Sequence, residues 1–172
     1  MVAVCSIRTY ERVDAQALWD AARESIGEAY QWLAWCHPQY SLAEAEKWID
    51  ARASLATLGR EYTFAIVDTD GRFLGGCGLN QINRIHGFGN LGYWVRTSAT
   101  RRGVATEAVR QLATFAFAKT DLVRLEIVCA LGNDASQRVA ERAGAVREGV
   151  LRHRLLLHGQ PVDAVLYSLV RG

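Results

Sequence analysis

Proline is nearly missing from this chain of 172 residues, with Pro38 and Pro161 its only two. There is also no Ser/Gly-rich stretch, low-complexity tract or internal repeat, so nothing reads as a linker between two units. One domain over residues 1–172 is the expectation. Cysteine is sparse too. Cys5, Cys36, Cys77 and Cys129 form no C-x-x-C pair, and metal clusters or disulfide frameworks need closer or more regular spacing. They read as reduced core thiols, and no metal is expected. Neither sign of charge dominates: 20 Lys plus Arg stand against 18 Asp plus Glu, a net charge of +2. That gives no general electrostatic case for a nucleic-acid coat, and no nucleic-acid partner is expected. The start lacks a basic segment followed by a long apolar one, and no run of ~18 apolar residues occurs. No membrane role and a cytoplasmic location are therefore expected. What is present is a globular composition, 50% apolar and 22% charged, enough to bury a core without staples.

Periodicity supplies the elements. CSIRTY reads as a short strand, and VDAQALWDAARESI as an amphipathic helix with Val13, Ala17, Leu18, Ala21 and Ala22 on one face. Ser41 and Glu44 have capping-box spacing ahead of Leu42, Ala45, Trp48 and Ile49, which predicts a second helix. The aromatic, irregular EAYQWLAWCHPQY between them is either a loop packed on the core or the wall of a pocket. YTFAIV, an Asp70-Gly71 turn, RFLGGCGLNQI and GNLGYWV read as three antiparallel strands. Residues 103–119 are helical, with Ala105, Ala108, Val109, Leu112, Ala113 and Ala116 in phase. LVRLEIVCAL alternates, placing Leu125, Ile127, Cys129 and Leu131 on one face. Strand, helix and strand in that order predict that GNLGYWV and LVRLEIV are parallel neighbours. A helix capped by Asn133 or Asp134 and ended by Gly144 follows. Two short strands near AVREGVL and AVLYSLV, separated by a His158-Gly159 turn, complete an α/β chain with a mixed sheet.

The stretch most suited to chemistry is WVRTSATRRGVATEAVRQL, where a strand runs through Arg96, Arg101 and Arg102 into a helix beginning near Gly103. N–H groups at a helix start lack intrahelical acceptors and the dipole there is positive, so such a loop suits phosphate oxygens. Gly103, Ala105 and Thr106 are small enough to let a ligand approach the backbone. The stretch is neither a Walker A loop nor a dinucleotide fingerprint, and an arginine-decorated helix start is the bland alternative. The next strand leads into another helix start, Asn133-Asp134-Ala135-Ser136, whose polar side chains would emerge beside the first.

In chain order GYWV, RRGVATEAV, the Asn-x-x-Ser of NDASQRVAERAG, REGVLR and the late Gly159, Asp163 and Tyr167 resemble the GNAT superfamily of acyl-CoA-dependent N-acetyltransferases. Within it the resemblance is to the RimJ/RimL-like branch, which acetylates ribosomal-protein N-termini. It runs from about Tyr62 to Leu169 and more loosely through WLAW. The family loop reads Gln/Arg-x-x-Gly-x-Gly/Ala, and Thr100 stands at its first position here, a change that backbone donors tolerate. The resemblance implies a single-domain α/β GNAT fold with flanking helices and a mixed central sheet splayed between the fourth and fifth strands, acetyl-CoA lying in the opening. The pantetheine would follow Tyr93, Trp94 and Val95. The pyrophosphate would meet the N–H groups of Arg101, Arg102, Gly103, Val104, Ala105 and Thr106, with Arg96 adding charge. Asn133 would contact the pantetheine from the opposite side.

Direct transfer needs a neutral amine, an oxyanion site and a proton for the departing thiolate. By resemblance Ser136 supplies that proton; its alternative role is a first-turn serine that helps cap its helix. Some members of the branch carry a glutamate base where this chain has Leu155, leaving His86, Glu126, His153 and His158 as substitutes. An α-amine near pKa ~7.8 is substantially neutral at cytosolic pH, whereas a lysine near ~10.4 is neutral about one time in a thousand. The missing carboxylate therefore points to a low-pKa amine. Tyr30, Trp32, Trp35 and Tyr40 are candidates for one wall of the acceptor site, with Asn80 as a polar handle, or else they pack the core. The expectation is acetyl transfer to a protein or peptide α-amine. A small-molecule amine acceptor and a non-catalytic acyl-CoA-binding module are the alternatives, and the resemblance also allows a homodimer through an edge strand near the C-terminus.

Overall fold

The structure is a computed structural model that describes residues 4–172. Seven strands form one sheet, numbered here in chain order as β1 (Cys5–Thr9), β2 (Tyr62–Asp68), β3 (Phe73–Asn83), β4 (Phe88–Val95), β5 (Arg124–Ala130), β6 (Val146–Leu157) and β7 (Gln160–Val170). Their spatial order is β1-β2-β3-β4-β5-β7-β6. The first four run antiparallel to their neighbours. β5 lies parallel to β4, joined through the helix that the strand–helix–strand pattern predicts, and β7 pairs antiparallel with β5 and β6.

The helices are α1 (Asp14–Ala29), α2 (Leu42–Asp50), α3 (Arg52–Thr57), α4 (Val104–Lys119) and α5 (Asp134–Arg142). Ser41 caps α2 in a full capping box with Glu44, each side chain bonding the other residue's backbone N–H. α4 buries Val104, Ala108, Val109, Leu112, Ala113 and Ala116 against one face of the sheet. α1 and α2 close the other face with Ala15, Leu18, Ala21, Ala22, Ala45 and Ile49. Among the described residues no helix is long and apolar enough to cross a membrane.

Several elements depart from the periodic reading. Val13 is 79% exposed, because α1 begins only at Asp14 and is held there by the Asp14 carboxylate, which accepts from the Glu11 N–H and the Arg8 guanidinium. Leu131 is 49% exposed; it lies past the end of β5, where Gly132 at φ +98 turns the chain. The two final strands are long rather than short. His158 at φ +50 and Gly159 at φ +77 make a two-residue connection of the kind that matches strand twist, so HRLLL continues β6 instead of forming a loop. The short helix α3 was not foreseen.

What positions the site is the way β4 leaves β5. The parallel pairing covers only Phe88–Arg124, Gly89–Leu125 and Asn90–Glu126. Beyond Asn90, β4 stays with β3 as far as Val95, while β5 stays with β7 as far as Ala130. The sheet therefore splays between its fourth and fifth strands, leaving backbone groups of both unpaired along an opening.

Candidate active site

The opening is a cleft of about 880 Å³. Tyr93, Trp94 and Val95 form one wall, Cys129, Asn133 and Ser136 the other, and Arg101, Gly103, Val104, Ala105 and Thr106 line one end. The residues predicted to hold the donor and to supply the proton thus line one cleft, with two exceptions. Arg96 turns its guanidinium away from the cleft onto Glu24 of α1, with Nε 2.9 Å from the carboxylate and a second contact through Nη2, and onto the Phe73 carbonyl. Arg102 is exposed and lines no part of the cleft. Arg96 is a tether for this loop: Glu24 also accepts from the Ser98 N–H at 2.7 Å. Together these contacts hold the Glu24 carboxyl down to about 2.

The cleft's end is built from backbone. Arg101 at φ +61 and Gly103 at φ +82 both adopt left-handed conformation, which a glycine takes freely and an arginine at a cost of roughly 1–2 kcal/mol. Gly103 is the N-cap residue of α4, and no side chain caps the helix. Its first-turn N–H groups lack intrahelical acceptors by helix geometry and carry the positive end of the dipole. This end suits an anion with several oxygens.

Opposite, Asn133 caps α5, its side-chain oxygen accepting from the Ser136 N–H at 3.1 Å. The amide side chain therefore organises the helix start, and the Ser136 hydroxyl is free of capping. Instead Ser136 Oγ lies 3.0 Å from Tyr93 Oη and 3.2 Å from Cys129 Sγ, and Tyr93 Oη is 2.8 Å from the Ser136 carbonyl. Burial pushes the Tyr93 phenol far above its usual range and raises the Cys129 thiol, so both keep their protons at neutral pH. The Tyr93 side chain bridges the splay, binding β4 to α5. Sequence reasoning placed Tyr93 only as a backbone wall and missed this contact; alternation along LVRLEIVCAL did put Cys129 on the inward face.

A second cavity, about 550 Å³, lies against α1, α2 and the loop between them. It shares Leu33, Gly92, Tyr93 and Trp94 with the cleft, so the two meet along β4. The expected acceptor wall is divided. Trp35, Tyr40 and Asn80 line this second cavity, whereas Trp32 lines the first, as do Leu155 and Leu157 of β6. Tyr30 lines neither and packs against His158 in a tilted contact, ring centroids 4.2 Å apart. The substitute bases are also elsewhere: His86, Glu126, His153 and His158 line neither cavity, and Glu126 is held by Arg124 at 2.9 Å. Leu155 presents an apolar side chain to the cleft.

Residues 6–146 match the family model described as "Acetyltransferase (GNAT) domain". The ribosomal-protein-serine acetyltransferase of Escherichia coli (strain K12) is 28% identical over 135 residues, covering 77% of this chain and 75% of that one. YdaF of Bacillus subtilis (strain 168) is 35% identical over 102 residues, 59% of this chain; the match spans only 56% of that relative's own length. Among solved structures, RimL, a ribosomal L7/L12 α-N-protein acetyltransferase in complex with coenzyme A, superposes with a TM-score of 0.87 at 25% identity, covering 97% of this chain and 94% of RimL.

Proposed function

Since the chain belongs to the acetyltransferase (GNAT) domain family and is an acyltransferase, we propose that it moves acetyl from acetyl-CoA to the α-amine of a protein or peptide N-terminus. The observation that carries this reading is the splay itself. A cleft with a helix start that no side chain caps at one end and a half-buried hydroxyl cluster opposite meets a second cavity along Gly92–Trp94.

The residues present fit the donor. The N–H groups from Arg101 to Thr106 receive the pyrophosphate, and the unpaired backbone of Tyr93 to Val95 receives the amide-bearing pantetheine arm. Acetyl-CoA supplies an activated thioester. The amine nitrogen forms a bond to the carbonyl carbon, the carbon–sulfur bond breaks, and the electron pair leaves on sulfur. Ser136 Oγ donates a hydrogen bond to that sulfur, Tyr93 Oη, 3.0 Å behind it, fixes the hydroxyl in place, and water supplies the proton that converts the thiolate to the thiol. The nitrogen loses its own proton to water. Neither a carboxylate nor an imidazole lies among the residues the two cavities share, which supports an acceptor that is already partly neutral. RimL and the Escherichia coli relative are named for acting on ribosomal proteins, and an N-terminal α-amine is the acceptor class that meets this requirement.

A small amine is the second reading, favoured by a cavity of about 550 Å³, within the usual range for small-molecule sites. Thiol release from acetyl-CoA separates the readings. Peptides with free N-terminal Ser, Ala or Met are compared with N-blocked peptides carrying one lysine, and with polyamines and amino acids. Release confined to unblocked peptides is expected. Release confined to small amines moves the enzyme to that second class. Silence throughout, with acetyl-CoA still raising the melting temperature, would make the chain a binding module.

A further inference from the structure

We propose that the second cavity is a subsite for a large apolar or aromatic group attached next to the acceptor amine, so that peptides beginning with Phe, Trp, Leu or Met are acetylated in preference to those beginning with Ser, Gly or Ala. This rests on the acetyl-transfer reading above and adds the side-chain class.

Part of the cavity is open because β4 carries no side chain at Gly92, where an added Cβ would meet nothing within 4 Å. Gly76 and Gly78 on β3 and Gly92 on β4 line it, with Gly78 paired to Gly92 and Gly76 to Trp94. Gly76 instead lets the Tyr10 hydroxyl and the Trp94 indole nitrogen approach the strand closely, and the cavity is walled by the rings of Tyr10, Trp35, Tyr40, Trp48 and Trp94. Those rings already brace one another edge-to-face: Trp35 lies 5.1 Å from Trp94 and 5.5 Å from Tyr40, and Tyr10 lies 5.0 Å from Trp48. The wall is therefore assembled before any acceptor arrives. A Ser or Gly side chain would leave most of about 550 Å³ without contacts, whereas one aromatic side chain buries roughly 150–250 Å².

Charge argues in the same direction. Among the described residues no lysine or arginine lines the cavity, so a free carboxylate beside the amine has no counterion there, which disfavours free amino acids. Glu44 is its one carboxylate, and it is occupied by the Ser41 N–H, the Ser41 hydroxyl and His37 Nε2 at 2.8–3.0 Å. A carboxylate committed to its own helix cap is a poor partner for a second cation, and one face of Trp48 is taken by Arg52 at 4.4 Å. The apolar occupant is favoured over a cationic one.

The test measures kcat/KM for acetyl transfer to a series of tetrapeptides that differ only in their first residue: Gly, Ala, Ser, Leu, Met, Phe, Trp and Lys. It is paired with binding of phenylalaninamide and serinamide, followed by tryptophan fluorescence. About tenfold or more in favour of the large apolar residues is expected. Two variants should shrink that ratio: Trp35→Ala, which removes a wall, and Gly92→Val, whose added Cβ meets nothing within 4 Å and so carries bulk into the open space. A flat series, or one led by Ser, overturns the subsite while leaving acetyl transfer intact. A series led by Lys overturns it in favour of a cation cage. If no peptide is acetylated but phenylalaninamide binds and serinamide does not, the subsite stands and the peptide-acetylation reading falls; if neither binds, both fall.

Discussion

Gly78 and Gly92 stand opposite each other in the antiparallel ladder between β3 and β4, yet a side chain at one would meet a wall and at the other open space. A Cβ on Gly78 would lie 2.8 Å from the Tyr62 carbonyl oxygen and 2.9 Å from Thr63 Cγ2, while one on Gly92 meets nothing within 4 Å. Gly78→Ala is therefore expected to destabilise the protein by about 1–3 kcal/mol through overpacking against backbone. Gly92→Ala should stay within about 0.5 kcal/mol, or gain slightly from a stiffer unfolded chain. Urea denaturation of both variants checks the contrast, and equal losses would mean that the space beside Gly92 closes in solution.

The Tyr93–Ser136 contact gives a prediction about rate. Ser136→Ala should lower kcat by about ten- to a hundredfold while leaving acetyl-CoA affinity within a few-fold, because the pyrophosphate end of the cleft is built from other residues. Tyr93→Phe should reduce kcat less, since Ser136 keeps its hydroxyl and loses only the partner that fixes it in place. Loss of this half-buried hydrogen bond should also cost about 1 kcal/mol of stability. Steady-state kinetics with calorimetric acetyl-CoA binding decides; an unaltered rate in Ser136→Ala would remove that hydroxyl from the mechanism.

The order of strands and helices, the parallel β4–β5 pair and the helix start at Gly103 were legible because each has a local signal: alternation, a 3.6-residue period, or a small residue at a turn. Tyr93, Asn133 and Ser136 were placed on the cleft wall by the family resemblance, with only the helix-cap reading of Asn133 resting on a local signal. The direction of Arg96 was not legible, because strand position fixes where its Cα sits but the direction of a long guanidinium is decided by a carboxylate 72 residues away in sequence. Trp32 and Trp35 were assigned to one wall and line different cavities, since an irregular loop has no period to say which way successive side chains face. The role of Gly92 in leaving the cavity open was also hidden: in the sequence it is only a weak strand former, and the space beside it is defined by how α1 and α2 pack over the sheet.

At the phosphate-binding end, bulk and conformation can be separated. Gly103 sits at φ +82, so Gly103→Ala is expected to cost about 1 kcal/mol of stability from left-handed backbone and to leave acetyl-CoA affinity within a few-fold. Gly103→Glu carries the same backbone cost and also places a carboxylate among N–H groups proposed to hold a pyrophosphate. It should lose binding by a hundredfold or more while remaining folded. Calorimetric titration with acetyl-CoA, beside a melting curve for each variant, separates the two effects. Equal affinities in both variants would remove the loop from cofactor binding.

Glu24 ties α1 to the segment entering that loop through Arg96 and the Ser98 N–H, and its carboxyl is held down to about 2 in the folded state. A depressed folded value means that the stabilisation is present above the ordinary carboxylate range near 4.5 and is lost as pH falls from there towards 2. Because the pair is partly solvated, its worth at neutral pH is about 1 kcal/mol or less. Glu24→Gln should be less stable than the parent at pH 7, with the difference narrowing below pH 4.5 and closing near 2. Denaturant midpoints of the two proteins across that interval test it; a constant difference would assign the loss to packing rather than charge.

The pH dependence of transfer follows from what the shared stretch of β4 contains. Burial holds the Tyr93 phenol and the Cys129 thiol above their ordinary values, so neither titrates between pH 5 and 8. No carboxylate or imidazole stands among Leu33, Gly92, Tyr93 and Trp94, the residues both cavities touch. The ascending limb of kcat/KM should then belong to the acceptor. With a peptide α-amine the rate should rise about tenfold per pH unit and level near ~7.8, whereas a lysine acceptor would keep rising towards ~10.4. An ascending limb well below pH 7 with an α-amine substrate would mean that the enzyme supplies a base. His37 is the imidazole nearest to that role by position, lining the acceptor cavity beside Glu44. Loss of that limb in His37→Gln, with the α-amine limb taking its place, would assign the base to His37 and show that the enzyme does more than select an amine that has already lost its proton.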